Sequence, residues 1–112
     1  MLVLFDHSAP RPLLSFLKSH TIKTAKSQRW DTLSNGDLLT AAENSGFEVL
    51  LTADKNLRYQ QNLAGRRIAI VVLSNAQWPI LRQHVERVVA AVNAATPGSY
   101  IEVDIPKEPA GA

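Results

Sequence analysis

Residues 49–54 read Val-Leu-Leu-Thr-Ala-Asp, an apolar run that ends in an aspartate, and residues 2–6 read Leu-Val-Leu-Phe-Asp, which repeats the pattern. Continuous apolar runs of this length are typical of parallel strands that are buried on both faces. In α/β proteins the functional groups gather at the carboxyl ends of such strands. The two aspartates, Asp6 and Asp54, are therefore predicted to be neighbours in space.

Outward from these two runs, strands alternate with helices along the chain. Further strands are predicted at residues 21–24, 68–73 and 100–105. Helices are predicted after Pro10, at residues 37–45 with Ser34 or Asn35 as the cap, and at residues 78–95 with Pro79 at the start. Such alternation is typical of a sheet covered by helices on both faces. We therefore predict an α/β fold, a three-layer α/β/α sandwich with a mainly parallel sheet.

The length of the chain, 112 residues, fits one domain. We assign the domain to residues 1–106 and a flexible tail to residues 107–112. The chain has no cysteine, which excludes disulfides and cysteine–zinc sites and fits a cytoplasmic location. No apolar stretch approaches the ~20 residues needed to cross a bilayer, so no membrane partner is expected. The formal net charge of +2 permits nucleic-acid binding without demonstrating it.

A third aspartate, Asp37, begins the predicted helix 37–45, and this end of the helix lies on the side of the sheet where strands end. Three close carboxylates repel one another, and keeping all of them ionised calls for a cation. Hard oxygen ligands favour Mg²⁺ or Mn²⁺, which could orient water and stabilise charge on a phosphodiester. Each residue also has a simpler interpretation. Asp6 and Asp54 could be turn residues, and Asp37 could only stabilise the helix dipole.

The segment that follows the third predicted strand is polar and basic. Lys55 and Arg58, with Tyr59 beside them, would suit contacts with a phosphate backbone and a stacked base. Asn56 belongs to the same candidate substrate-binding set. The alternative for this segment is an ordinary solvated surface.

Three segments resemble the signature blocks of the PIN-like nucleases, in particular the small nucleases of toxin–antitoxin systems. They are residues 4–6 (Leu-Phe-Asp), 35–39 (Asn-Gly-Asp-Leu-Leu) and 49–57 (Val-Leu-Leu-Thr-Ala-Asp-Lys-Asn-Leu). The resemblance implies a PIN fold, cleavage of RNA by a Mg²⁺- or Mn²⁺-dependent endoribonuclease, and acidic metal ligands at Asp6, Asp37 and Asp54. It also implies an antitoxin protein as partner and a homodimer.

The chain departs from that family at two points. Its first block continues as His7-Ser8 where the relatives commonly carry glutamate and asparagine, and no residue near Ser74 supplies the fourth acid of full PIN nucleases. A catalytically inactive PIN-like module that binds RNA or protein is therefore one alternative.

A receiver-like phosphoacceptor domain is a second alternative. Receivers place acids after the first strand, one aspartate after the third and a hydroxyl after the fourth, which Asp6, Asp54 and Ser74 would supply. The lysine expected at the end of the fifth strand is missing, because Lys107 lies past Pro106.

Overall fold

A five-stranded sheet lies at the centre of the molecule, in a computed structural model that describes residues 1–57 and 63–107. Its strands are β1 (Leu2–Phe5), β2 (Thr21–Thr24), β3 (Val49–Thr52), β4 (Ala69–Leu73) and β5 (Tyr100–Val103). Their order is β2-β1-β3-β4-β5, and each of these pairings is parallel. The predicted α/β fold with a parallel sheet is confirmed.

Helices cover both faces of this sheet and complete three layers. They are α1 (Asn35–Asn44), α2 (Trp78–Leu81) and α3 (Val85–Ala94), with 3₁₀ helices at Arg11–Phe16 and Arg82–His84. Because side chains alternate along a strand, Phe5 and Leu51 pack under α2, α3 and the first 3₁₀ helix, whereas Leu4 and Leu50 pack under α1. The sheet is thus buried on both sides, as its apolar strands require.

Two predicted helices differ from the structure. The helix predicted after Pro10 is a 3₁₀ helix of six residues, with Pro12 in its first turn. The long helix predicted for residues 78–95 is interrupted, because the backbone of His84 leaves the helical region at φ −128°. The predicted tail at residues 107–112 lies outside the described residues apart from Lys107.

Helix α1 begins where the sequence predicts a cap. The Ser34 hydroxyl accepts a hydrogen bond from the main-chain N–H of Asp37 at 3.3 Å, which satisfies one of the free donors of the first turn. The helix ends before Gly46, whose φ of +85° favours glycine. This start places Asn35 at the carboxyl edge of the sheet.

The chain leaves β1 and β3 toward opposite faces of the sheet. After β1 it passes to the face that holds Ala9 and Leu13, and after β3 it passes to the face that holds Leu57. This divergence opens the carboxyl edge between the two strands, and α/β sheets commonly bind ligands at such a point. Within the described residues, no helix combines the length and apolarity that crossing a membrane requires.

Candidate functional site

Asp6 is the most buried acid at this edge, with 7% of its surface exposed. Its main-chain N–H donates to the Leu51 carbonyl at 3.1 Å, so β1 stays paired with β3 up to this residue. Its Oδ1 accepts from the Ser8 N–H at 2.8 Å and from the Ser8 hydroxyl at 2.5 Å, and its Oδ2 accepts from the Thr52 hydroxyl. A buried carboxylate is costly without hydrogen bonds, and these three donors stabilise it.

The hydroxyls of Ser8 and Thr52 join the loops that follow β1 and β3. Thr52 Oγ1 accepts from the Asp54 N–H at 3.1 Å while it donates to Asp6. Ser8 Oγ accepts from the Ala53 N–H at 2.9 Å. The Thr52 hydroxyl therefore contacts both the Asp6 carboxylate and the main chain of Asp54, and so links the two strand-end aspartates.

The Asp54 carboxylate is held from two directions. Its Oδ1 accepts from the Asn56 N–H at 3.0 Å, which forms a turn, and its Oδ2 accepts from the Asn35 side-chain amide at 3.0 Å. We call Asp6, Ser8, Asn35, Thr52 and Asp54 the strand-end network.

Asp37 stands apart from the strand-end network. It is exposed, and its main-chain N–H makes the hydrogen bond that caps α1. Among the described residues, no group of three or more histidine, cysteine, aspartate or glutamate side chains could hold a metal ion. The hydrogen bonds of the described residues thus join Asp6 to the main chain of Asp54, and Asp37 stays a predicted ligand outside the strand-end network.

No cationic side chain among the described residues contacts the carboxylates of the strand-end network. Among the described residues, the donors to Asp6 and Asp54 are hydroxyls, an amide and main-chain N–H groups, all of them neutral. Within residues 1–57 and 63–107, the one ion pair joins Arg66 to Glu43 at 2.7 Å, and it lies at the opposite edge of the sheet. Asp6 and Asp54 thus follow the neighbouring strands β1 and β3 with no cationic partner among the described side chains.

No protein family model, curated protein or solved structure matches the chain. The PIN resemblance accordingly rests on the three sequence segments alone, and the functional argument depends on the geometry of the site.

The donor set fits a divalent cation. A carboxylate oxygen carries two lone pairs. Oδ2 of Asp6 and both oxygens of Asp54 each accept one hydrogen bond from the described residues, so each keeps one lone pair. Mg²⁺ is commonly held by one or two carboxylates, with waters and substrate phosphates completing its shell. Two carboxylates at the edge of the sheet meet that requirement.

The candidate substrate-binding residues fall into two groups. Lys55 and Asn56 are exposed directly after Asp54, on the solvent side of the strand-end network. Arg58 and Tyr59 lie outside the described residues.

Three members of the strand-end network, Ser8, Asn35 and Thr52, were not predicted from the sequence as site residues. Thr52 carried a usable signal, because it is the one polar residue in the apolar run 49–53 and it is only 1% exposed. Buried hydroxyls have hydrogen-bond partners as a rule. A threonine at the end of a buried strand therefore points to an acceptor on the neighbouring strand.

The receiver alternative requires the hydroxyl of Ser74, and this hydroxyl forms hydrogen bonds with Ile105. Its Oγ donates to the Ile105 carbonyl at 3.1 Å and accepts from the Ile105 N–H at 2.7 Å. These bonds attach the end of β4 to the segment after β5. Lys107 is exposed beyond Pro106. The strand order is that of receivers, but the hydrogen bonds of the Ser74 hydroxyl among the described residues go to Ile105.

Proposed function

We propose that this protein is a metal-dependent ribonuclease that hydrolyses RNA phosphodiesters, with Asp6 and Asp54 as the carboxylates that hold Mg²⁺ or Mn²⁺. The observation that carries the proposal is that Thr52 links the Asp6 carboxylate to the main chain of Asp54 where β1 and β3 diverge, and that the donors to both acids among the described residues are neutral. Ligands of α/β sheets commonly bind at this point. The resemblance of three segments to PIN-like nucleases supports the choice of RNA.

A bound divalent ion supplies an activated water and stabilises charge on the phosphodiester. The chain supplies the positions of the ligands. Ser8 and Thr52 fix the Asp6 carboxylate, and Asn35 fixes that of Asp54. Partners of this kind orient metal ligands and raise the affinity for the ion. Lys55, exposed beside Asp54, is placed to contact a phosphate of the backbone.

The deciding experiment is cleavage of a labelled RNA by the purified protein with Mn²⁺ and with EDTA. We expect cleavage in Mn²⁺ only, and a fall of at least about 100-fold in Asp54→Asn, because the substitution removes a metal ligand while keeping the shape of the side chain. Asp31→Asn is the matched control, since Asp31 is an exposed aspartate outside the strand-end network.

The other outcomes separate the alternatives. Cleavage that persists in EDTA or in Asp54→Asn contradicts the metal site. Binding of RNA with no cleavage in any divalent ion supports the inactive RNA-binding module. Treatment with a small-molecule phosphodonor tests the receiver, which the strand order favours. The gain of one phosphoryl group on Asp54 by mass measurement would support the receiver and contradict the nuclease.

The proposal extends to the partners and location that the PIN resemblance implies. We propose a cytoplasmic homodimer whose activity is restrained by an antitoxin protein. Light scattering on the purified chain measures its mass in solution, and a monomer at micromolar concentration contradicts the dimer. Expression in bacteria tests the toxin role, because growth should stop for the wild type and continue for Asp54→Asn.

A further inference from the structure

A cleft of about 410 Å³ lies beside Asp6, between the loops that follow β1 and β2. Its lining includes the buried residues Phe5, Asp6 and Ala25 and the exposed cations Arg11 and Lys26. The volume is in the range of pockets that hold small ligands. It therefore accommodates a nucleotide unit of an extended strand.

The wall that carries Lys26 is a fixed loop. The Ser27 N–H donates to the Thr24 hydroxyl at 3.0 Å, and the Ser27 hydroxyl donates to the Thr24 carbonyl at 2.8 Å. The Ala25 N–H donates to the Phe5 carbonyl at 2.8 Å, which attaches the loop to β1. Because both ends of this short loop are bonded, the backbone of Lys26 has a defined position.

The turn that closes this loop has an unfavourable backbone conformation. Arg29 has a φ of 63°, the one positive value among the described non-glycine residues. The Trp30 N–H returns to the Ala25 carbonyl at 2.8 Å, and the Trp30 ring packs edge-on against Phe47 at 5.8 Å between centroids. Strained positions persist where the surrounding contacts determine them, and they are concentrated at binding sites.

We propose that this cleft binds the phosphate backbone of single-stranded RNA, with Arg11 and Lys26 contacting phosphates on either side of the scissile position. The proposal rests on the ribonuclease function and names its substrate track. Neither cation has a carboxylate partner among the described residues, so both charges are available to an anion. Asp6 lines the cleft and belongs to the strand-end network, so a strand bound in the cleft would lie next to that network.

The test is the binding of a fluorescent single-stranded RNA in EDTA, followed by anisotropy across a salt series. We compare the wild type with the double variant Arg11→Gln, Lys26→Gln. We expect the dissociation constant to rise about tenfold at low salt, and the slope of log K against log salt to fall by about 1.4, since each phosphate contact on a single strand contributes about 0.7.

The matched control is the double variant Lys18→Gln, Arg67→Gln. It removes the same charge from two exposed residues that precede β2 and β4, at the amino edge of the sheet. We expect its binding and its salt slope to equal those of the wild type. Equal losses in the two double variants, or no binding of RNA by the wild type, would overturn the cleft as the binding track.

Binding in EDTA separates this proposal from the ribonuclease itself. Loss of binding confined to the Arg11, Lys26 variant, with no cleavage by the wild type in Mn²⁺, supports the cleft and contradicts catalysis. Cleavage by the wild type together with unchanged affinity in that variant supports catalysis and contradicts the cleft. Thermal unfolding of each variant, monitored by circular dichroism, confirms that the comparison is between folded proteins.

Discussion

The two edges of the sheet place acidic residues in opposite electrostatic settings. At the amino edge, Glu43 Oε1 lies 2.7 Å from the Arg66 guanidinium, and Oε2 accepts from the Arg67 N–H at 3.0 Å. At the carboxyl edge, the donors to Asp6 and Asp54 among the described residues are neutral. The acid of the amino edge is paired with a cation of the chain, whereas those of the carboxyl edge have no cationic partner among the described side chains. We therefore treat the acids without a cationic neighbour, rather than the paired acid, as the candidate ligands of a cation.

We expect the largest loss of stability from Thr52→Val, which removes hydrogen bonds at the carboxyl edge of the sheet. The change keeps the shape of the side chain but removes the donor to Asp6 Oδ2 and the acceptor of the Asp54 N–H. A buried charged group that loses its partner costs about 3 kcal/mol, so we expect a fall of this size in the free energy of unfolding, measured with urea.

Thr32→Val is the control for that measurement, because Thr32 is exposed in a turn. We expect a change below about 0.5 kcal/mol there. If the two variants lose the same stability, the Thr52 hydroxyl is not what holds the carboxyl edge together.

Addition of Mn²⁺ should stabilise the folded protein by binding at the carboxyl edge of the sheet, and not at the amino edge. A ligand at ten times its dissociation constant stabilises the folded state by about 1.4 kcal/mol, which raises the melting temperature of a chain of this size by about 5 °C. We expect this shift in the wild type and in Glu43→Gln, and none in Asp54→Asn. Differential scanning calorimetry gives the comparison, and an equal shift in Asp54→Asn would place the ion elsewhere.

The ion pair between Glu43 and Arg66 at the amino edge should make a pH-dependent contribution to the free energy of unfolding. Burial raises the pKa of Glu43, but the hydrogen bonds from Arg66 and Arg67 and the two nearby charges outweigh it, so the pKa lies below its ordinary value of 4.5. A group whose pKa is lowered by folding adds stability above its unfolded pKa and loses it as the pH falls through the folded value.

Glu43→Gln should therefore lower the free energy of unfolding by about 1 kcal/mol at pH 7. The difference from the wild type should shrink as the pH falls below 4.5. Urea unfolding at several pH values measures both quantities. A difference that stays constant down to acidic pH would show that the charge of Glu43 contributes nothing, and that only the packing of its side chain is affected.

The strands could be predicted from the sequence because their signal is local. The strands β1 (Leu2–Phe5) and β2 (Thr21–Thr24) have the predicted bounds. The apolar runs that contain β3 and β4 are longer than the observed strands by no more than two residues at either end. The apolar runs reflect burial on both faces, which is a property of each strand by itself. The strand-end aspartates followed from the same runs.

The partners of those aspartates could not be predicted, because they depend on the pairing register. Phe5 is paired with Leu51, which places the next residue, Asp6, beside Thr52. Two residues that lie 46 positions apart in sequence share a hydrogen bond only through that register. The position of Asp37 depends in the same way on the start of α1, since the cap at Ser34 fixes the direction of its first turn.

The smallest effect concerns Asp37, which the sequence assigns either to the metal or to the helix dipole. An acid in the first turn of a helix is worth about 0.5 kcal/mol, and Asp37→Asn should lower the free energy of unfolding by that amount. Since Asp37 is exposed and lies outside the strand-end network, we expect RNA cleavage and the Mn²⁺ shift to match the wild type. A loss of cleavage as large as that of Asp54→Asn would instead make Asp37 a third ligand, recruited when the ion binds. In that case the carboxyl edge would carry three charges rather than two, and the contrast with the neutralised amino edge would be greater.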